Sequence, residues 1–217
     1  MKPLSLACGV ALTLALAAAA PSVLAQETAA ASTSTANITT APKLHTAMRS
    51  LWHGHIEHTR AYAMAVKAGD QAAAGKAADD VVANAKQIAD AVAGFYGKPA
   101  GEQMLKLLAG HWGGVKALTD ADHSGDKAAH QKAMQDLAQN ATAIAKFLSA
   151  ANPNLPEATV DSLMMMHVAD HETHINQIMA GNTAGEAQAW AHMQAHMNTI
   201  ADALAGAIAK QFPAKAS

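Results

Sequence analysis

A gapless shift of 56 residues lays this chain on itself twice. Leu51, Leu107 and Leu163 coincide, as do His55, His111 and His167. Gly69, Gly125 and Gly181 coincide, followed by Asp70, Asp126 and Asn182, and Ile88 coincides with Ile144 and Ile200. Asn84 and Asn140 coincide, and the third copy has His196 there. Internal repetition at this length limits a chain to architectures in which one supersecondary unit packs on copies of itself. The unit here is helical, because Ala, Leu, Lys, Gln and Met dominate from Leu44 onward and no run of β-branched residues competes.

Each copy reads as a helical hairpin. The triplets AGD, SGD and AGN end one helix on glycine and begin the next with a capping residue. YGKP at 96–99 and NPNLP at 152–156 separate the copies, and QFP at 211–213 closes the last. The expected fold is all-α, a six-helix bundle of three 56-residue repeats at 44–99, 100–155 and 156–211. Its helices should span about 44–68, 71–95, 100–123, 127–150, 157–180 and 184–211. Three hairpins can close around an axis or stack in a row. The first arrangement gathers corresponding side chains and the second separates them.

The segment ahead of this domain has a different character. Residues 1–25 have a positive start at Lys2, an apolar run and small residues before Gln26, as a cleaved signal peptide does. A retained anchor is the alternative. Residues 26–42 are a polar low-complexity tether, and 43–213 form the bundle domain. Cys8 is the single cysteine, so cleavage leaves none, which excludes disulfides, thiolate ligands and cysteine nucleophiles. An exported, cysteine-free, Ala-rich helical chain suggests a bacterial periplasm, with a periplasmic protein as a candidate partner. A net charge of −2 with mixed signs and few aromatics argues against nucleic acid.

Histidine is the unusual component: the chain has 12, beside 11 methionines. His55, His111 and His167 fall on the 4-3 spaced apolar seam of the first helix of each hairpin. Residues equally far from an antiparallel turn lie at one height, which sets His55 against Asn84, His111 against Asn140 and His167 against His196. One turn nearer the tips lie Asp80, Asp136, His171 and His192. Imidazole suits zinc and copper, and thioethers favour Cu(I). The candidate metal ligands are therefore His55, His111, His167, His171, His174, His192 and His196. Asn84, Asn140, Asp80 and Asp136 would orient them, with Met164, Met193 and Met197 alongside. His45, His53, His123 and His130 read as solvated, and Trp52 and Trp112 as packing residues.

Two other readings compete with copper or zinc buffering, sensing or delivery. One is a structural or adaptor bundle whose His/Asn layer is hydrogen-bonded and holds no metal. The other is a bundle that binds haem non-covalently. Catalytic patterns are missing: HETH at 171–174 is one residue short of the zinc-protease spacing, and the glutamates do not form a di-iron carboxylate pattern.

The strings LW..H...TR (51–60), N...I......FYG (84–97), LL..H (107–111), N...IA.FL...NP (140–153), H......H (167–174) and IAKQFP (208–213) resemble an uncharacterised family of small bacterial proteins. The resemblance spans nearly the whole chain after the signal segment. It implies an all-helical, exported or membrane-associated domain and supplies no activity. His55, Asn84, His111, Asn140 and His167 match the family pattern. His171 and His174 stand where that pattern has Thr and an acidic residue, which would make metal binding a property of this chain's third repeat.

Overall fold

A computed structural model describes residues 41–216, so the expected signal peptide and residues 26–40 of the tether lie outside the described residues. Among the described residues there are seven helices and no strand. They are α1 (Pro42–Ala68), α2 (Gln71–Tyr96), α3 (Lys98–Ser124), α4 (Lys127–Ala151), α5 (Glu157–Ala180), α6 (Thr183–Gln211) and the single turn α7 (Pro213–Ala216). Ala41 and Pro42, expected to end the tether, instead begin the helical body. Pro42 occupies the first helical position, where no amide is needed, and the buried Ala41 accepts a hydrogen bond from the His45 amide.

The α1–α2, α3–α4 and α5–α6 turns share one chemistry. Gly69, Gly125 and Gly181 take left-handed φ values of 72°, 74° and 68°, which lets the chain reverse without a Cβ clash. The next residue then caps the new helix. Asp70 accepts from the Ala73 amide, Asp126 from those of Ala128 and Ala129, and Asn182 from that of Gly185. The connections between hairpins differ from one another. Only Gly97 separates α2 from α3, a tighter break than expected, with Pro99 inside the first turn of α3. The α4–α5 connection is held by the buried Asn152, which donates to the Tyr96 hydroxyl and accepts from the Asn154 amide.

Each helix packs on the next, and α6 returns to pack on α1. Helices α1, α3 and α5 also meet one another in pairs. The hairpins therefore close around an axis, with α1, α3 and α5 innermost and α2, α4 and α6 filling the grooves outside. Alanine makes this closeness possible: Ala85, Ala141, Ala145, Ala201 and Ala205 are all buried between helices. Leu118, Leu137, Ile56 and Ile200 fill the remaining space and are at most 1% exposed. No helix among the described residues is long and apolar enough to cross a membrane.

Two glycines of α3 test whether this contact is at its limit. A Cβ on Gly101 would come within 2.7 Å of the Ala93 Cβ and 2.8 Å of the Ala89 carbonyl oxygen, whereas one on Gly113 meets nothing within 4 Å. Gly101→Ala should destabilise the fold by about 1–3 kcal/mol because backbone cannot yield, although alanine is the better helix former. Gly113→Ala should stabilise it by up to about 1 kcal/mol. Urea unfolding of the two variants measures both signs.

Candidate metal centre

The innermost helices each bring one histidine to the axis. His55 on α1, His111 on α3 and His167 on α5 are between 2% and 4% exposed. Their ring centroids are 5.5 Å apart for His55–His111, 5.5 Å for His111–His167 and 5.9 Å for His55–His167. His171 joins them one turn along α5, on the same face as His167. Its Nε2 is 3.1 Å from the His167 Nε2, and its ring is 6.0 Å from that of His55 and 5.4 Å from that of His111. One nitrogen from each of the four rings lies within 4.8 Å of the others. The positions 56 and 112 residues before His171 hold Val115 and Thr59, so the fourth imidazole is particular to α5.

Burial without counter-charge sets the protonation of this group. Desolvation pushes His55 down to about 3, helped by His111 and His58, and pushes His111 down to about 4. His167 and His171 are driven well below the ordinary range, first by desolvation and then by neighbouring imidazoles. All four are neutral at pH 7, the form that ligates metal. Their polar atoms are poorly served by protein: His55 Nε2, both nitrogens of His111 and His167 Nδ1 are buried with no hydrogen-bond partner. Each such atom costs about 1–3 kcal/mol of desolvation.

The donor set fits a cation. A tetrahedral ion with nitrogen ligands at about 2.0–2.1 Å needs nitrogens about 3.3 Å apart, a modest contraction of this group. The rings of His55, His111 and His167 line a cavity of about 20 Å³ together with Met164 and Met197. Two expected thioethers are thus adjacent to the imidazoles. Met193 is 1% exposed in the hydrophobic core and does not line that cavity. Met165 and Met166, which flank the site in sequence, are exposed.

The other candidate residues are placed elsewhere. His196 Nε2 is 3.0 Å from the Leu163 carbonyl oxygen. Asn84 and Asn140 donate to the carbonyls of Leu51 and Leu107, each at 3.0 Å. These contacts hold the outer helices to the turn that carries the axial histidine and do not reach the imidazoles. Asp80 and Asp136 pair with Lys76 and Lys132 one turn away at the surface. Distance from a turn gives a residue's height, not its direction around the helix, and both aspartates sit just off the buried stripe of their helix. His174 is also buried, at 3% exposed, but it lies outside the four-histidine group, 2.9 Å from Glu186 Oε1 and stacked on Trp190 at 5.4 Å, and Arg60 completes that cluster through Glu186 at 2.7 Å. His192 Nδ1 is 2.9 Å from Asp170 Oδ1.

Of the four histidines read as solvated, His45 is not. It is 2% exposed and its Nδ1 lies 2.9 Å from Asp202 Oδ1, which Arg49 also engages. His45 thus packs onto α6, which carries Asp202. His130 bridges Asp122 and Glu172, and His53 lies 3.0 Å from Asn198 Oδ1. Trp52 is buried as a packing residue, and Trp112 meets the edge of Tyr62 at 5.0 Å.

Gly54 and Gly110 belong to the site although their lack of a side chain hid them. A Cβ at either would sit 2.8 Å from the Nδ2 of Asn84 or Asn140. The short asparagine reaches a backbone carbonyl only where the facing residue is glycine. At the third equivalent position Met166 stands opposite the longer His196. The coincidence of Gly54 with Gly110 at the 56-residue shift was the available signal.

Compared with family models, curated proteins and solved structures, the chain matches none.

The electrostatics predict an acid-sensitive metal-free protein. Unfolded histidine binds a proton near pH 6.5, whereas the folded His55 and His111 do not until about 3 and about 4, so the unfolded state holds more protons in between. Stability should be complete above pH 6.5 and fall as pH drops toward 4, by up to about 1.4 kcal/mol per pH unit for each titrating ring. Chemical denaturation at pH 7.5, 6, 5 and 4 measures the slope. Under the same conditions His111→Leu should leave the metal-free protein at least as stable at pH 7.5 and flatten the acid slope, because it removes two unpartnered nitrogens. A loss of more than about 2 kcal/mol at pH 7.5 would count against this view of the layer.

Proposed function

We propose that the chain is a metal-binding helical bundle of three 56-residue hairpin repeats, and that His55, His111, His167 and His171 ligate one ion, Cu(I) in preference to Zn²⁺. The observation that carries the reading is the convergence of four buried, neutral imidazoles, among which His55 Nε2, both nitrogens of His111 and His167 Nδ1 lack protein partners. A structural layer would spend those nitrogens on hydrogen bonds. The asparagines facing them donate their Nδ2 to the Leu51 and Leu107 carbonyls, and their Oδ1 atoms, also buried without a partner, accept nothing from the rings. A haem ring has no room in a cavity of about 20 Å³.

The preference for copper follows from charge. The four-histidine group contains no carboxylate, so a dication would bring two uncompensated charges into an apolar interior. Burying charge there is costly, and the cost rises steeply with its magnitude. A monovalent ion lowers that cost, and Met164 and Met197 offer soft donors that suit Cu(I). Zinc is the second choice. The residues before Gln26 point to export and action in a periplasm, where such a site would buffer, sense or pass on the ion.

Purified full-length protein should bind one Cu(I) per chain in an anaerobic competition titration, with absorption-edge spectra reporting nitrogen-dominated ligation. The His167→Ala/His171→Ala variant should weaken binding by more than about 100-fold, and ion present at 100 times Kd should stabilise the parent by about 2.7 kcal/mol. Equal copper affinity in parent and variant would refute the assignment, and a tighter zinc isotherm would replace copper with zinc.

A further inference from the structure

A second cavity lies at the end of the bundle where the hairpins join, opposite the three glycine turns. Its volume is about 150 Å³, and no polar atom faces it. Leu51 of α1, Phe95 of α2, Met104 of α3, Phe147 of α4, Leu155 of the α4–α5 connection and Ile208 of α6 line it, and the half-buried Leu51, Phe95 and Phe147 leave it partly open to solvent. Tyr96 also lines it, but its hydroxyl is taken up by Asn152 and Gln211. Water entering such a space would find no hydrogen-bond partner, and apolar cavities of this size in proteins stay dry and accept benzene or xenon. Core packing ordinarily leaves few voids larger than a water molecule. Here two of the three alanines on the lining, Ala91 and Ala151, occupy positions where a larger aliphatic side chain would fill the space.

The cavity is also placed with respect to the histidines. Trp52, Leu148 and Leu204 line both it and the small cavity bounded by His55, His111 and His167. The indole of Trp52 meets His55 edge to face at 6.0 Å, and its Nε1 is buried without a partner. One layer of side chains separates an apolar chamber from the imidazoles.

We propose that this cavity is a binding site for a small, uncharged, apolar molecule of about the size of benzene, held one side-chain layer from the four-histidine group. The inference does not depend on metal binding, because the lining contains none of the four histidines. Full-length, chelator-treated protein would be titrated with benzene and followed by thermal unfolding, and crystals would be pressurised with xenon. The expected results are a saturable rise in Tm and xenon density between Phe95 and Phe147. Ala91→Leu/Ala151→Leu should bind benzene at least about ten-fold more weakly, a difference of about 1.4 kcal/mol. Should that variant not fold, Phe147→Ala provides the complementary measurement, since it should admit naphthalene where the parent does not. A parent that shows no saturable response to benzene overturns the proposal, as does a filled variant that binds equally well or an enlarged variant with unchanged size selection. Copper binding measured on the same samples stands or falls separately.

Discussion

Neutral imidazoles packed against one another on a helical axis are the constraint around which this molecule is organised. Four such rings lie together with no carboxylate among them. Removing them from water lowers their basicity without supplying partners, so the centre of the bundle works against folding. The surrounding shell must outweigh that penalty, and it is built accordingly: alanine-lined contacts bring helices close, and leucine and isoleucine close the gaps. A centre whose cost is borne by its scaffold is what is expected where function, not stability, selects the side chains.

The outer helices serve this centre indirectly. The carbonyls of Leu51, Leu107 and Leu163 each lie one turn before an axial histidine, where they also take that histidine's own amide proton. Asn84, Asn140 and His196 fasten to those carbonyls across the hairpins. The hold on each inner helix is therefore applied at the turn that aims the ring, without spending a donor on the ring itself. Both nitrogens of His111 remain uncommitted as a result.

Helix existence, the glycine reversals and their caps were legible because each depends on local chemistry. Gly69 with Asp70, Gly125 with Asp126 and Gly181 with Asn182 act within a few residues of chain. The burial of His55, His111 and His167 was legible from periodicity. Closure of the hairpins around an axis was not, since it depends on α6 meeting α1, a contact between distant segments. Direction around the outer helices was also hidden. Turn arithmetic placed Asp80, Asp136 and His192 at the right height, but their helices point them toward Lys76, Lys132 and Asp170. Glycine was the hardest signal to read, because Gly54 and Gly110 contribute by what they lack.

The pairing of Gly54 with Asn84, and of Gly110 with Asn140, also restricts how this protein can change. Each pair is a two-position lock in which the small residue and the short amide require one another. A larger residue at 54 or 110 collides unless the amide opposite has moved, and a longer side chain at 84 or 140 collides unless the outer helix stands farther away. Where α5 faces α6 the combination is Met166 with His196, a different solution to the same crossing. Passage between the two solutions demands paired substitutions, so the first and second hairpins are confined to their present form while the third is not. The side of the axis that carries the extra imidazole is thus the side on which the sequence is freest to vary.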